Sequence, residues 1–332
     1  MSRCFQTACS CFALDRSLLD NVLLSVCRYT QPTRVQSEAI PLALAGSDLL
    51  VNASTGSGKT AAFMLPVLER LQYRSRRVPL SRVLVLLPTR ELAVQCQAMT
   101  LKLAQYTDVR VALVVGGLSM SVQEVELRSR PEIVIATPGR LIDHLRNSAT
   151  VHLEDIEVLI LDEADRLLEE GFEEEMHAIV RILPKTRQTA LFSATQTKRV
   201  EDLARLAVQG TPEVVGVDED DAVATVSTLE QGFVVCPSDV RFRLLYTFLK
   251  RNLKKKVMVF FSSCNSVRYH AELLNYIDVP VLDIHGKQKQ AKRTTTFFDF
   301  CKAQSGILLC TDVAARGLDI PFVDWIIQVR RW

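Results

Sequence analysis

The sequence predicts an α/β protein built from two parallel-sheet lobes in tandem, and three observations carry that expectation. Short apolar runs alternate with helix-like stretches along most of the chain, which is the signature of βαβ units. One run leads into Ala53-Ser54-Thr55-Gly56-Ser57-Gly58-Lys59-Thr60, a glycine-containing turn that opens a helix. A later run ends in Asp162-Glu163-Ala164-Asp165, placing acids at a strand's carboxyl end, where open α/β sheets hold ligands.

The elements justify themselves in order. Leu49-Leu50-Val51 reads as a buried strand and Ala61-Ala62-Phe63-Met64-Leu65 as a helix, so the stretch between them is a strand-loop-helix turn. Backbone N–H groups of such a turn converge on phosphate oxygens, and the helix N-terminus adds positive potential. Gly56 and Gly58 allow the tight bend and close approach, with Thr55 and Ser57 between and beside them. Lys59 reaches the terminal phosphates of a nucleoside triphosphate, and the Thr60 hydroxyl holds Mg²⁺. Ala53 stands where such loops usually begin with glycine.

Val83 to Leu87, Val111 to Val115, Ile133 to Ala136, Val158 to Leu161 and Thr189 to Phe192 read as further strands. The run Val158-Leu159-Ile160-Leu161 has no polar alternation, as expected of a strand covered on both faces. Asp162 is thereby positioned to hold Mg²⁺, and Glu163 to orient or deprotonate an attacking water. Val217-Asp218-Glu219-Asp220-Asp221 reads as a solvated linker. After it come strand-like runs at 232–235, 256–261, 281–284, 306–310 and 323–327. The expected division is an N-terminal segment 1–35, a first lobe 36–216, a linker 217–227 and a second lobe 228–332.

Composition sets the class. A hydrophobic fraction of 48% with 23% charged residues is globular, and no apolar run approaches membrane-spanning length. The net charge of +2 hides an asymmetry, because the residues from Thr228 onward carry sixteen Lys and Arg against nine acids. That half is the better suited to polyanions. The nine cysteines form no CxxC pair, which fits a reducing intracellular compartment and no zinc site. The first residues lack the apolar region of a secretory signal.

The ordered motifs resemble the DEAD-box family of RNA helicases over nearly the whole chain. They comprise Gln36 within Pro32-Thr33-Arg34-Val35-Gln36, the phosphate loop, Pro88-Thr89-Arg90-Glu91-Leu92, Gly116-Gly117, Thr137-Pro138-Gly139-Arg140, the acidic tetrad and Ser193-Ala194-Thr195. The second lobe adds Val259-Phe260-Phe261-Ser262, His285-Gly286, Gln290 with Arg293, and Thr311 to Asp319. The resemblance implies two RecA-like lobes of P-loop type, with ATP and Mg²⁺ as cofactors. It implies Gln36 on the adenine edge, with Tyr29 stacked on the ring and Phe12 in support. It gives Thr89, Arg90, Gly117, Thr137, Gly139, Arg140, Gln290, Arg293 and Thr311 to the sugar-phosphate backbone of RNA, gripped without reading bases. It makes Asp165, Ser193 and Thr195 residues that couple the nucleotide site to RNA opening, and it adds Arg316 and Asp319 to the nucleotide side. ATP and RNA would close the lobes, bending one strand so that a short duplex loses pairing, and hydrolysis would reopen them.

Two features refine the resemblance. The wording Arg130 to Ile135, Ile142-Asp143-His144, Lys287 to Gln290 and Thr294 to Phe298 is similar to helicases of ribosome assembly. It implies a pre-ribosomal RNA partner, work in the nucleolus or nucleus with the cytoplasm as the alternative, unidentified protein cofactors, a monomer and no membrane. Family members also carry a His-Arg-x-Gly-Arg-x-x-Arg motif after the last strand, and this sequence shows Val329-Arg330-Arg331-Trp332 there. The second lobe is therefore expected to be incomplete, with an exposed sheet edge and apolar docking surface. Arginine fingers contribute about 10³ to 10⁵ in rate, so the alternative reading is a non-catalytic ATP- and RNA-binding fragment or splice form. A P-loop ATPase acting on protein or DNA is a third reading, separable by preference for ribose over deoxyribose polymers.

Overall fold

The computed structural model describes residues 31–54, 56–148, 151–216, 230–311 and 320–329. The chain divides into two compact units, Met1–Ala222 and Val223–Trp332.

The first unit is a doubly wound parallel sheet. Helix α1 (Arg34–Leu44) precedes β1 (Leu49–Asn52), α2 (Lys59–Gln72), β2 (Val83–Leu86), α3 (Arg90–Leu103), β3 (Val111–Val114), α4 (Met120–Arg128) and β4 (Ile133–Ala136). Then follow α5 (Pro138–Asn147), β5 (Val158–Leu161), α6 (Ala164–Glu169), α7 (Glu173–Ile182), β6 (Gln188–Ser193), α8 (Lys198–Ala207) and β7 (Glu213–Gly216). The seven strands run in the order β3-β4-β2-β5-β6-β1-β7, and every recorded pairing is parallel.

The unalternating apolar runs have the expected cause. Strands β2, β4 and β5 are buried at every position. Successive side chains serve opposite layers: Val83, Val85, Ile133, Ile135, Val158 and Ile160 pack with α1, α2 and α3. Leu84, Leu86, Val134, Ala136, Leu159 and Leu161 pack with α5 to α8. Side chains alternate across a strand, so an apolar residue at each position is what a sheet covered on both faces requires.

The second unit is a smaller version of the same plan. Helix α9 (Ser238–Arg251), β8 (Lys256–Phe261), α10 (Cys264–Tyr276), β9 (Leu282–Ile284), α11 (Gln290–Lys302), β10 (Gly306–Thr311) and β11 (Trp325–Val329) form a four-stranded sheet in the order β11-β8-β10-β9. Its pairings are again parallel. Val257, Val259, Phe261, Ile307 and Leu309 face one layer, while Met258, Leu308 and Cys310 face the other.

Two strand expectations need correction. The run Gly232 to Val235 is not a strand: Phe233, Val234 and Val235 are 84%, 71% and 80% exposed, and no described strand pairs with them. An apolar run becomes a strand only where a neighbour completes its hydrogen bonds. Strand β7 was not anticipated, because Glu213-Val214-Val215-Gly216 offers just one buried side chain, and pairing with β1 rather than apolar content makes it a strand. The linker expected at 217–227 lies outside the described residues.

Lys256 ties the second unit together. Its side chain is buried, with the ammonium donating to the carbonyls of Cys301 at 3.1 Å and Pro321 at 3.0 Å, and lying 5.1 Å from the Phe300 ring centroid. Its backbone N–H donates to Asp324 at 2.8 Å. One residue thus fixes the end of α11 and the approach to β11 to the start of β8. Replacing Lys256 by Met keeps the volume but strands two carbonyls, and should cost about 2 kcal/mol. Urea unfolding of the two chains measures this, and an unchanged midpoint would show the latch to be energetically idle.

Candidate nucleotide and RNA site

The carboxyl ends of β5, β6 and β1 are neighbours in the sheet, and they carry the residues read as nucleotide-binding. At β1 the Ala53 N–H donates to the Ser193 carbonyl at 3.0 Å, so the loop leaves the sheet tied to the end of β6. Gly56 and Gly58 then adopt φ of 84° and 92°, the left-handed region that glycine enters without strain. At Gly58 space is limiting as well, since a Cβ there would lie 2.6 Å from Gln36 Nε2.

Gln36 is held by the start of its own helix. It is the third residue of α1 and forms a capping box with Thr33: its N–H donates to Thr33 Oγ1 at 3.4 Å, and its Oε1 accepts from the Thr33 N–H at 3.1 Å. Its Nε2 donates to the Gly58 carbonyl at 3.2 Å. The amide read as an adenine reader is therefore also a latch on the phosphate loop.

Lys59 opens α2 and is buried. Its Nζ donates to the Ala53 carbonyl at 3.2 Å and to Glu163 Oε1 at 3.1 Å. Glu163 has φ 53° and ψ 50°, an uncommon conformation for a side chain with a Cβ, costing about 1 kcal/mol or more. The strained turn aims its carboxylate at Lys59 on one side and at Arg166 Nε, 3.3 Å away, on the other. Asp162, also buried, accepts the Glu163 N–H at 3.0 Å. Burial pushes the Asp162 carboxyl up to about 6; Lys59 opposes the rise and Glu163 adds to it.

The residues expected to couple the two sites lie in one chain of bonds. Thr195 Oγ1 donates to Asp165 Oδ2 at 2.9 Å, and Ser193 Oγ donates to the Thr195 carbonyl at 2.8 Å. Thr197, not Ser193 or Thr195, caps α8, so the pair is available to join β6 to the acidic turn.

The donor set fits Mg²⁺ with a triphosphate. The candidate ligands, the Asp162 carboxylate and the Thr60 hydroxyl, are hard oxygens, and Mg²⁺ commonly takes one or two carboxylates with the rest from phosphates and water. No group of three or more His, Cys, Asp or Glu among the described residues forms an all-protein cage. A Cβ on Gly56 would meet nothing within 4 Å, so the loop's outer surface is open to a ligand.

The other three neighbouring strands, β3, β4 and β2, end in the residues read as RNA-contacting. Thr89 caps α3, accepting the Leu92 N–H at 3.3 Å. The Arg90 guanidinium lies against Gly116, where a Cβ would come within 2.9 Å of Nη2. Gly117 follows with φ 84°. Thr137 caps α5 and its N–H donates to the Val114 carbonyl at 3.0 Å, while Gly139 lies against the Phe172 ring. Arg140 reaches back to the β3–α4 connection, Nη2 donating to the Leu118 carbonyl at 3.1 Å and Nη1 to Met120 Sδ at 3.1 Å. The structure therefore brings the three segments of the first unit expected to contact RNA to neighbouring strand ends.

In the second unit Thr311 ends β10, buried, and Gln290 and Arg293 lie in the first turn of α11. Tyr29, Thr55, Arg316 and Asp319, with Phe12, lie outside the described residues. Sequence reading gave no role to Arg166, Gln123 or His144. Their signal was polarity in place: His144 falls on the buried face of α5 with Leu141, and Gln123 on that of α4 with Leu127.

Two parallel sheets in tandem, the first with a phosphate loop after β1 and an acidic turn after β5, separated only by β6, define a protein of the RecA-like P-loop class. The family model for DEAD/DEAH box helicases matches residues 33–203, and that of the helicase conserved C-terminal domain matches residues 240–332. The chain belongs to the DEAD/DEAH box helicase family. It is 56% identical over 303 residues to ATP-dependent RNA helicase DDX18 of Homo sapiens, a match covering 90% of this chain and 45% of the relative. It is 52% identical over 320 residues to ATP-dependent RNA helicase HAS1 of Kluyveromyces lactis, covering 95% and 64%. The chain spans about half the length of most of the curated relatives it matches. A structure of Mss116p bound to ssRNA and AMP-PNP superposes with a TM-score of 0.84 at 28% identity, covering 96% of this chain and 68% of that one.

The buried charge cluster makes a pH-dependent prediction. With Lys59 changed to Met, Asp162 loses the cation that lowers its pKa, which moves further above the unfolded value. A carboxyl with a raised folded-state pKa favours folding at low pH, and that contribution is lost as pH rises through the folded value. The variant should be destabilised by about 3 kcal/mol at pH 8 and by less at pH 5. Thermal unfolding at both pH values checks this, and an equal loss at each would refute it.

Proposed function

We propose that this chain acts as an ATP-dependent RNA helicase that grips the sugar-phosphate backbone and remodels short duplexes. The observation that carries the reading is the sorting of strand ends: phosphate loop and acidic turn on β5-β6-β1, hydroxyls, glycines and arginines on the adjoining β3-β4-β2. A polyanion lying along one half of the edge is next to a triphosphate bound on the other, and the Thr195 to Asp165 bond links β6 to the acidic turn.

In this reading Thr55, Gly56, Ser57, Gly58, Lys59 and Thr60 hold the phosphates and Gln36 and Tyr29 the adenine. Asp162 and Thr60 supply oxygens to Mg²⁺, which when bound offsets phosphate charge. Glu163 positions or deprotonates the attacking water. A triphosphate that draws Lys59 away from Glu163 would free the carboxylate for that role. Thr89, Arg90, Gly117, Thr137, Gly139 and Arg140 bind RNA in the first unit and Gln290, Arg293 and Thr311 in the second; Arg316 and Asp319 serve the nucleotide. Residues 36–216 form the nucleotide lobe and 228–332 the second lobe, joined by 217–227.

A pre-ribosomal RNA substrate and a nucleolar site of action are supported by the similarity of both units to helicases of the DDX18 and HAS1 type. The same reading makes the chain a monomer at its ATP site, with protein cofactors to be identified. No described helix is long and apolar enough to cross a membrane.

ATP hydrolysis by the 332-residue chain should be stimulated by single-stranded RNA, much less by DNA of the same sequence, and abolished in Lys59→Ala. ATP binding without stimulated turnover would replace this reading with that of a non-catalytic ATP- and RNA-binding protein. Equal stimulation by DNA would point to a P-loop ATPase of another substrate class.

A further inference from the structure

We propose that Gln123 and His144, neither of them given a site role above, are positioning residues for the RNA backbone. They hold the Gly116-Gly117 turn in register with the start of α5. The inference rests on the RNA-binding reading of those two segments. Both side chains are buried, Gln123 3% and His144 0% exposed. Gln123 Nε2 donates to the Val115 carbonyl at 2.8 Å, and its Oε1 lies 3.1 Å from His144 Nε2. Because the amide NH₂ is committed to Val115, the carbonyl must face the imidazole, and the ring donates from Nε2 as the neutral tautomer. Burial, helped by the nearby Arg140 charge, holds the His144 pKa below its ordinary value, with Glu124 and Asp143 opposing. His144 Nδ1 has no hydrogen-bond partner, as befits a ring fixed by one bond alone.

The consequence lies one peptide away. The Val115 C=O and the Gly116 N–H belong to one trans peptide and point in opposite directions. Drawing the carbonyl inward toward Gln123 turns the Gly116 N–H away from α4; Gly117 at φ 84° continues the turn, and the Arg90 guanidinium packs against the α-carbon of Gly116. The chain Val115–Gln123–His144 therefore transmits the position of α5, whose first turn carries Gly139 and Arg140, to the glycine turn after β3. Two further bonds run parallel to it, the buried Thr137 N–H to Val114 and the exposed Arg140 Nη2 to Leu118. The Gln123 bond sets the orientation of the peptide, and the other two set the separation of the loops.

The test uses the full chain and three variants. Gln123→Met keeps length and removes both bonds. His144→Phe keeps the ring and removes the donor. His144→Gln returns an amide N–H near the position of Nε2. Affinity for single-stranded RNA is measured with AMP-PNP present, affinity for AMP-PNP is measured without RNA, and thermal unfolding is recorded for each. Expected are RNA binding weakened about tenfold in Gln123→Met and His144→Phe, AMP-PNP binding unchanged, and RNA binding restored in His144→Gln. Unchanged RNA affinity in a folded Gln123→Met or His144→Phe overturns the proposal. So does a parallel fall in RNA affinity, AMP-PNP affinity and thermal stability, which is the mark of a merely structural role. If Gln123→Met fails to fold, His144→Phe against His144→Gln decides by the same criteria. Absence of RNA binding by the unaltered chain would instead refute the RNA reading itself, and the proposal with it.

Discussion

Most candidate site residues of the first unit depend on one constraint, that its strands run parallel. A parallel strand can follow its neighbour only after a crossover, so all strands end at the same edge and the loops that follow them gather there. The sheet order then sorts the loops. Strands β5, β6 and β1 are adjacent although they are distant in sequence, and the phosphate loop, acidic turn and Ser193 to Thr195 segment meet for that reason. Strands β3, β4 and β2 assemble the arginine, glycine and hydroxyl segments by the same rule.

The energetic weight of the nucleotide half lies in a few buried polar contacts. Lys59, Asp162 and Glu163 are all withdrawn from water, and Lys59, with Arg166 beside Glu163, supplies the positive charge that lets two adjacent carboxylates remain there. In such a place each charge depends on its partner, because removing one leaves the other desolvated and uncompensated. The strained backbone of Glu163 belongs to the same logic: the packing around β5 and α6 holds a conformation that the residue alone would not choose.

Polar groups also set the finer geometry elsewhere. Gln36 joins α1 to the phosphate loop, Gln123 joins α4 to the end of β3, and Lys256 joins α11 to β8. Each is a buried or nearly buried side chain that satisfies backbone carbonyls or N–H groups in loops. Apolar packing brings these elements close, but dispersion contacts tolerate small rotations that directional bonds do not.

By itself the sequence determined the fold class and the strands that are buried on both faces, and it singled out the candidate site residues. These follow from local rules: glycines that permit a left-handed turn, apolar runs without alternation, and acids at a strand end. The failures show where local rules stop. Phe233 to Val235 has strand composition yet no described partner, whereas Glu213 to Gly216 has little apolar content and becomes a strand beside β1. Pairing is a property of two segments, and one segment cannot announce it. Likewise Gln36 was legible as a candidate site residue, but its bond to Gly58 was not, and neither was the Gln123 to His144 link between α4 and α5. Those contacts join residues far apart in the chain through directional bonds a few ångströms long. Only the packed sheet, which fixes the distances between its loops, could decide them.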